Sequence, residues 1–298
     1  MKNENKLVSV ILNCYNGEKY LKDSLKSIVK QTYKNWELIF WDNRSSDLSK
    51  TIMKSFKNKK FKYFLSKKHT SLYAARNLAI NKAKGSYISF IDADDVWETD
   101  KLHKQIKLFK DKKVAVVYGN SWLKKEISNK KKIFIKYKMK NGYIYDDLIK
   151  SYNVGILTAV IKKSFLKKAK KIFNDNYDII GDFDLFIKLS KKYKFDVIQE
   201  PVATYRIHEK NLSLLKKETE INEFKDWLKN NKKKLSKENL HLINKKILHL
   251  EFINMKFKKN FSITLFFLIK YKNKIINIKN LIILLLPKII LKKIMWFY

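Results

Sequence analysis

Short β-branched runs alternate with stretches of helical period along the first two hundred residues. Residues 8–13 (Val-Ser-Val-Ile-Leu-Asn) form one compact apolar run, closed by an Asn16-Gly17 turn. A helical spacing of Leu21, Leu25, Ile28 and Val29 follows. Residues 36–41 predict a second strand with a polar loop, 42–47, behind it, and 61–65 a third. An alanine-rich helix over 72–83 is stopped by Lys84-Gly85. Residues 87–91 predict a fourth strand, which runs into Asp92-Ala93-Asp94-Asp95, then a helix over 102–109 and a strand over 114–118. Such alternation predicts an α/β sandwich around a mostly parallel sheet. Sheets of that kind bind ligands beyond the carboxyl ends of their strands, where the acidic loops at Asp42 and Asp92 both fall.

The pattern weakens over 121–152, a lysine-rich stretch read as a variable segment. Strands are then predicted over 156–161, 195–198 and 203–207, the last two separated by Pro201, with an amphipathic helix over 184–189. After about Leu215 strand patterns cease, which predicts a catalytic domain over 1–215 and a basic helical tail over 216–298. Glu251 is the last acid of the chain. The 47 residues after it carry ten lysines among Phe, Leu, Ile and Trp. Their apolar runs fall short of the roughly 20 residues that a membrane span needs. The mixture suits helices lying in an anionic membrane surface, and equally a helical subdomain packed on the core.

Composition changes this picture in two places. The net charge is +38, yet only Arg44, Arg76 and Arg206 among the 66 basic residues are arginine. A surface built to grip nucleic acid mixes in the bidentate guanidinium fork, so the lysine excess reads as background and no nucleic-acid partner is expected. Where arginine persists, its planar fork is needed. The single cysteine excludes a disulfide scaffold or a cysteine zinc cluster and fits a reducing compartment.

The sharpest local chemistry is Asp92-Ala93-Asp94-Asp95 at the end of a hydrophobic strand. Acids this close repel unless a cation or strong hydrogen bonding intervenes, and oxygen ligands favour Mg²⁺ or Mn²⁺. Alone, the cluster would read as a solvated turn. It has company, however. Residues 8–18 and 27–33, the Asp42-Asn43-Arg44-Ser45-Ser46-Asp47 loop, Ala75-Arg76-Asn77, residues 85–95, Gly181-Asp182-Phe183-Asp184-Leu185 and Tyr205-Arg206-Ile207-His208 with Ser213 follow one another in order. Together they resemble glycosyltransferase family 2, the inverting group with the GT-A fold, a Rossmann-like α/β domain.

The resemblance implies a metal-dependent enzyme that moves one sugar from a nucleotide-sugar donor, such as a UDP-sugar, to a glycan or lipid-linked acceptor. Asp42 would accept a hydrogen bond from the base, and Arg76 would contact base or diphosphate. Asn13, Tyr15 and Ala93 would line the donor site. Asp92 and Asp94 would frame metal and ribose, with Asp94 the direct ligand. His208 would join the metal set, and with Arg206 it would close over the diphosphate. Asp182 would be the general base. Duller readings stand beside these: Asp182 as a helix cap, Arg76 as a surface ion pair, His208 as a plain loop residue, Cys14 as a buried filler. Asn13, Asn43 and Gly181 depart from the family pattern, which often has proline at the first position and acids at the other two. The family's processive synthases carry a Q-x-x-R-W motif and membrane helices. Neither is seen here, which favours single transfer over polymerisation. The basic tail, with the resemblance, suggests a lipid-linked acceptor in bacterial surface polysaccharide or lipooligosaccharide assembly and a cytoplasmic enzyme peripheral on the inner face of the cell membrane. A nucleotidyltransferase using the same carboxylates, and a basic nucleic-acid-binding protein, are the competing classes.

Overall fold

A computed structural model describes residues 5–257 except 129 and 167–170, with the side chains of 255–257 also outside the description. The chain divides into two compact units, Met1–Asn211 and Leu212–Tyr298. The expectation of a membrane-seeking tail falls chiefly on 258–298 and lies outside the described residues.

The first unit opens with β1 (Val8–Cys14), α1 (Glu18–Val29), β2 (Trp36–Asp42), α2 (Ser49–Ser55), β3 (Phe61–Leu65), α3 (Leu72–Ile80) and β4 (Tyr87–Asp92). These strands are parallel in the order β3-β2-β1-β4. Every residue of β1 and β2 is buried, as expected of strands covered on both faces. One register matters for the site: Cys14 lies opposite Asp42, and Asn13 opposite Asp92. The carboxyl ends of β1, β2 and β4 are therefore level, and the residues that end them share one edge.

Beyond β4 the sheet becomes mixed. It continues through β5 (Val96–Trp97), α4 (Lys101–Lys107), β6 (Val114–Lys125), β7 (Lys131–Ile133), α5 (Tyr145–Lys150), β8 (Val160–Lys162), α6 (Gly181–Ser190) and β9 (Lys194–Ile207). β8 is antiparallel to both β4 and β6, whereas β6 and β9 are parallel. The expected strand over 156–161 begins as a 3₁₀ turn, Ile156–Thr158, and only its end enters β8. The two strands expected around Pro201 are one, β9, whose register against β6 slips at Asn120 opposite Pro201. Proline has no N–H for the ladder, so it sits where the ladder is already broken. The strand expected to end at Tyr118 runs on to Lys125, into the segment read as patternless.

The core gathers Val10, Leu12, Leu38, Phe40, Ile91 and Val117 from the strands with Leu21, Leu25 and Ile106 from the helices. Gln105 on α4 donates to the carbonyls of Val117 and Thr158, which ties that helix to the sheet. In the second unit α7 (Leu212–Leu215) precedes α8 (Lys217–Asn231) and α9 (Lys237–Phe257). α8 and α9 pack together and are joined by the Lys225–Glu251 ion pair at 2.5 Å. Among the described residues no helix is long and apolar enough to cross a membrane.

Candidate active site

Three groups of side chains rise from the level strand ends. The first surrounds Asp42, which is 1% exposed. The Tyr63 hydroxyl donates to its Oδ2 at 2.6 Å and the Ser45 amide to its Oδ1 at 2.7 Å. Burial, and then the neighbouring Asp42 charge, push the Tyr63 phenol far up, so it stays a donor. Asn43, the departure from the family's second acid, has a structural task. Its amide donates to the Thr70 carbonyl at 2.8 Å, and its Oδ1 accepts from the Thr70 amide and hydroxyl at 3.2 and 3.1 Å. An aspartate there would lose the donor half of that clasp.

The same clasp brings in His69, whose Nδ1 lies 3.0 Å from the Asn43 carbonyl and whose ring lies 4.3 Å from that of Tyr15. Tyr15 is 55% exposed, so the pair presents an aromatic face at the strand ends. Arg44 is exposed at a φ of 72°, in the left-handed region. Asn16 and Gly17 donate backbone N–H groups to the Ser45 and Ser49 hydroxyls at 3.1 and 2.9 Å, which fixes the loop to the start of α1. A Cβ at Gly17 would meet the Ala93 methyl at 2.9 Å, so this glycine lets the turn lie directly on Ala93.

The second group joins Asp92 to Asp182. Arg76, 2% exposed on α3, donates to Asp92 Oδ1 at 2.7 Å, with its guanidinium over the Tyr73 ring. Arg76 is therefore not a surface ion pair; from its buried position it holds Asp92. Tyr73, one helical turn earlier on the same face, donates to the Ile179 carbonyl at 2.9 Å and to Asp182 Oδ1 at 3.2 Å. Tyr152 lies close enough for its hydroxyl to act on the Asp182 carboxyl as well. Asp182 lies in the first turn of α6 and accepts from the Phe183 amide at 2.8 Å. Burial pushes the Asp182 carboxyl up from its ordinary value, while the Arg76 charge and the bonds from Phe183, Tyr73 and Tyr152 work to hold it down. Gly181 is explained by contact: a Cβ there would fall 2.6 Å from the Tyr73 ring. Asp184 is buried and bonds Lys188 at 2.5 Å.

The third group closes over Asp94. His208 Nε2 lies 2.8 Å from Asp94 Oδ2, and Asn211 Nδ2 lies 3.4 Å from the same oxygen. Arg206 donates through Nε to the Asp94 carbonyl at 2.9 Å and through a terminal nitrogen to Asp23 at 3.1 Å. Its guanidinium also covers the Tyr20 ring at 4.6 Å, and that ring stacks on His208 at 4.9 Å. Asp95 faces the other way. It is 1% exposed, accepts the Arg206 backbone N–H at 2.9 Å, and burial with the Asp94 and Asp92 charges pushes its carboxyl well up.

Of the three expected metal ligands, Asp94 and His208 come together, while Asp92 is committed to Arg76. Among the described residues no group of three His, Cys, Asp or Glu side chains gathers. One carboxylate and one imidazole still suit a divalent cation that takes its remaining ligands from water and substrate phosphate. Asn13 is 9% exposed at the end of β1, and among the described residues both polar atoms of its side chain lack a hydrogen-bond partner. Buried amides are seldom left so, and this one has both its donor and its acceptor capacity to offer. Burial pushes the Cys14 thiol up to about 11, so it is the inert filler expected. Sequence reasoning missed Tyr73, Tyr152, His69, Asn211 and Tyr20. Only Tyr73, three residues before Arg76, and Tyr20, on the helix after the first motif, carried any signal.

The chain is similar to known proteins in the same terms. It is 34% identical over 160 residues to an Escherichia coli protein, the UDP-Glc:alpha-D-GlcNAc-diphosphoundecaprenol beta-1,3-glucosyltransferase WfgD. That match covers 54% of this chain and 62% of the relative. It is 28% identical over 216 residues to the putative teichuronic acid biosynthesis glycosyltransferase TuaG of Bacillus subtilis, covering 72% of this chain and 84% of that one. Among solved structures, S. aureus TarS in complex with UDP matches with a TM-score of 0.60 at 18% identity, over 81% of this chain and 70% of that one. A Pyrobaculum calidifontis mannosyltransferase in complex with GDP-Man and Mn²⁺ matches with a TM-score of 0.61 at 16% identity, over 82% and 72%. The family model described as Glycosyl transferase family 2 matches residues 9–179, through the strand ends that carry Asp42, Asp92 and Asp94. The readings as a nucleotidyltransferase or a nucleic-acid-binding protein give way to this: the chain belongs to glycosyltransferase family 2 and is a glycosyltransferase with the GT-A fold.

Proposed function

We propose that the chain is an inverting, metal-dependent transferase that moves one sugar from a UDP-sugar to a hydroxyl of a lipid-linked glycan in bacterial surface polysaccharide assembly. The observation that carries the reading is the nest around Asp182: a carboxylate held by the Tyr73 hydroxyl and a backbone amide with Tyr152 beside it, raised by burial, and linked through Tyr73 and Arg76 to Asp92. A general base works best when its pKa approaches the working pH, and burial moves Asp182 in that direction.

On this reading the Tyr15–His69 face and Asp42 receive the nucleoside, and the unpartnered Asn13 amide bonds the donor beside Asp92. Arg76 acts through Asp92 and does not touch donor. Ala93, packed on Gly17, sets the floor between them. Asp94 and His208 would hold Mg²⁺ or Mn²⁺. Such an ion supplies Lewis-acid stabilisation of the charge that builds on the departing diphosphate. Arg206 fixes the Asp94 backbone and braces His208 through Tyr20. Asp182 takes the acceptor hydroxyl proton as that oxygen attacks the anomeric carbon. A single in-line displacement inverts the centre, so an α-linked donor gives a β-glycoside. The likeness to WfgD, a UDP-Glc-dependent beta-1,3-glucosyltransferase on a diphosphoundecaprenol-linked sugar, supports both the donor class and the acceptor class. A peripheral position on the inner face of the membrane follows from such an acceptor.

The test is turnover. The full chain with Mn²⁺ and a panel of UDP- and GDP-sugars is expected to release UDP, faster when a polyprenyl-diphosphate-linked sugar is added. Release of pyrophosphate, or a product with retained anomeric configuration, would overturn the reading.

A further inference from the structure

The segment through β6, β7 and the loop after them stands out in charge and in exposure. Over residues 124–140 eight lysines meet one acid, Glu126. Lys131 and Lys140 pair with Glu98 and Asp147, at 3.4 and 2.7 Å. Lys130, Lys136 and Lys138 are exposed and pair with no carboxylate among the described residues. Lys132, Lys136 and Lys125 crowd one another closely enough to depress the Lys132 ammonium, after the effect of burial. Large apolar side chains are exposed along the same stretch: Ile127 is 86% exposed, Phe134 44% and Tyr137 53%. Ile133, Ile135 and Tyr137, flanked by Lys136 and Lys138, line an open groove of about 510 Å³. Soluble surfaces seldom cluster exposed Ile, Phe and Tyr without a partner for them.

We propose that this lysine-and-aromatic surface of the catalytic unit docks on an anionic lipid bilayer, with Ile127, Phe134 and Tyr137 entering the interface and Lys130, Lys136 and Lys138 meeting lipid phosphates. Charge narrows the choice of occupant. A second copy would bring +38 of its own, and the 47 residues after Glu251 contain no acid, so neither supplies the counter-charge. Nucleic acid would, but residues 124–140 contain no arginine, and protruding Ile and Phe gain nothing from a phosphate backbone. A bilayer interface accepts both features at once, ammonium groups at the headgroups and aromatic rings just beneath. This contact deepens the reading of a lipid-linked acceptor on which its purpose rests. It differs from any contact of residues 252–298, because it lies on the turn between β6 and β7 and the loop after β7.

The experiment reads the surface locally in the full chain. A solvatochromic thiol dye is placed at Ile127→Cys; Cys14 is buried, with its thiol raised to about 11, and leaves the dye to the new site. Vesicles of phosphatidylcholine with phosphatidylglycerol are expected to shift the emission to the blue, and pure phosphatidylcholine vesicles to leave it unchanged. Replacing Lys130, Lys136 and Lys138 together by Glu is expected to weaken the titration by at least about 100-fold, at about fivefold per lysine. The Phe134→Ser/Tyr137→Ser pair is expected to abolish the blue shift. UDP release from free nucleotide sugar, without vesicles, should be unchanged in both variants, which separates this proposal from the enzymatic one. Emission that stays at its aqueous value on anionic vesicles, or that responds to RNA and not to vesicles, would overturn it.

Discussion

Asp182 and Asp94 offer the same carboxylate from opposite surroundings. Asp182 is half-buried, accepts from the Tyr73 hydroxyl with Tyr152 and the Arg76 charge close by, and burial pushes its pKa up. Asp94 keeps 26% of its side chain exposed and faces an imidazole, an amide and an arginine that approaches only its backbone. The first arrangement suits a group that must accept a proton. The second suits a group that shares its field with a cation or a phosphate. Two aspartates, one in the first turn of α6 and one just past the end of β4, thus take different chemistry from what lies around them, which is how one fold runs acid–base and electrostatic work side by side.

The comparison breaks most visibly at Asp182. Asp182→Asn keeps the shape and the Phe183 bond but cannot take a proton, so kcat is expected to fall by about 10² to 10⁴. Donor affinity, measured by calorimetry with UDP, should remain. Survival of near wild-type turnover would remove the general base from this position. Asp94→Asn is expected to cost about 100-fold, a few kcal/mol of electrostatic stabilisation, and to raise the Mn²⁺ concentration needed for half-maximal rate. An unchanged Mn²⁺ titration would place the cation elsewhere.

Smaller effects sharpen the contrast. Tyr73→Phe removes a donor that lowers the Asp182 pKa. The base works in its ionised form, so the rate rises with pH through that pKa. Losing the donor raises the pKa and moves the acid limb to higher pH, with the plateau restored in alkali. A uniform loss at every pH would mean that Tyr73 serves packing alone. Tyr20→Leu removes the ring between Arg206 and His208. It is expected to raise the Mn²⁺ requirement by about 10-fold, the scale of outer-shell changes, with kcat at saturating Mn²⁺ little altered.

How much of this could be read in the chain follows from what each residue depends on. The positions of Asp42, Asp92 and Asp94 were legible because apolar runs announce β2 and β4, and strand ends in a parallel sheet fall level. Asp182 and His208 were reached only through motif resemblance, since nothing local separates them from a cap and a loop histidine. Arg76 was singled out by its rarity, but the sequence could not say that its fork holds Asp92. Tyr152 was out of reach: it meets Asp182 across thirty residues of chain, from a segment with no periodicity. β9 was split in two because proline reads as a strand breaker, and a register slip is visible only when the partner strand is present.

Gly181 carries a consequence for sequences other than this one. The Tyr73 ring occupies the space where any other residue at 181 would place its first side-chain carbon, and the hydroxyl of that ring is anchored to the Ile179 carbonyl. The acid that the family often carries before its aspartate is therefore barred here while Tyr73 stands as it does. The two positions are coupled: a side chain at 181 requires the Tyr73 ring to shift or to be replaced by something smaller.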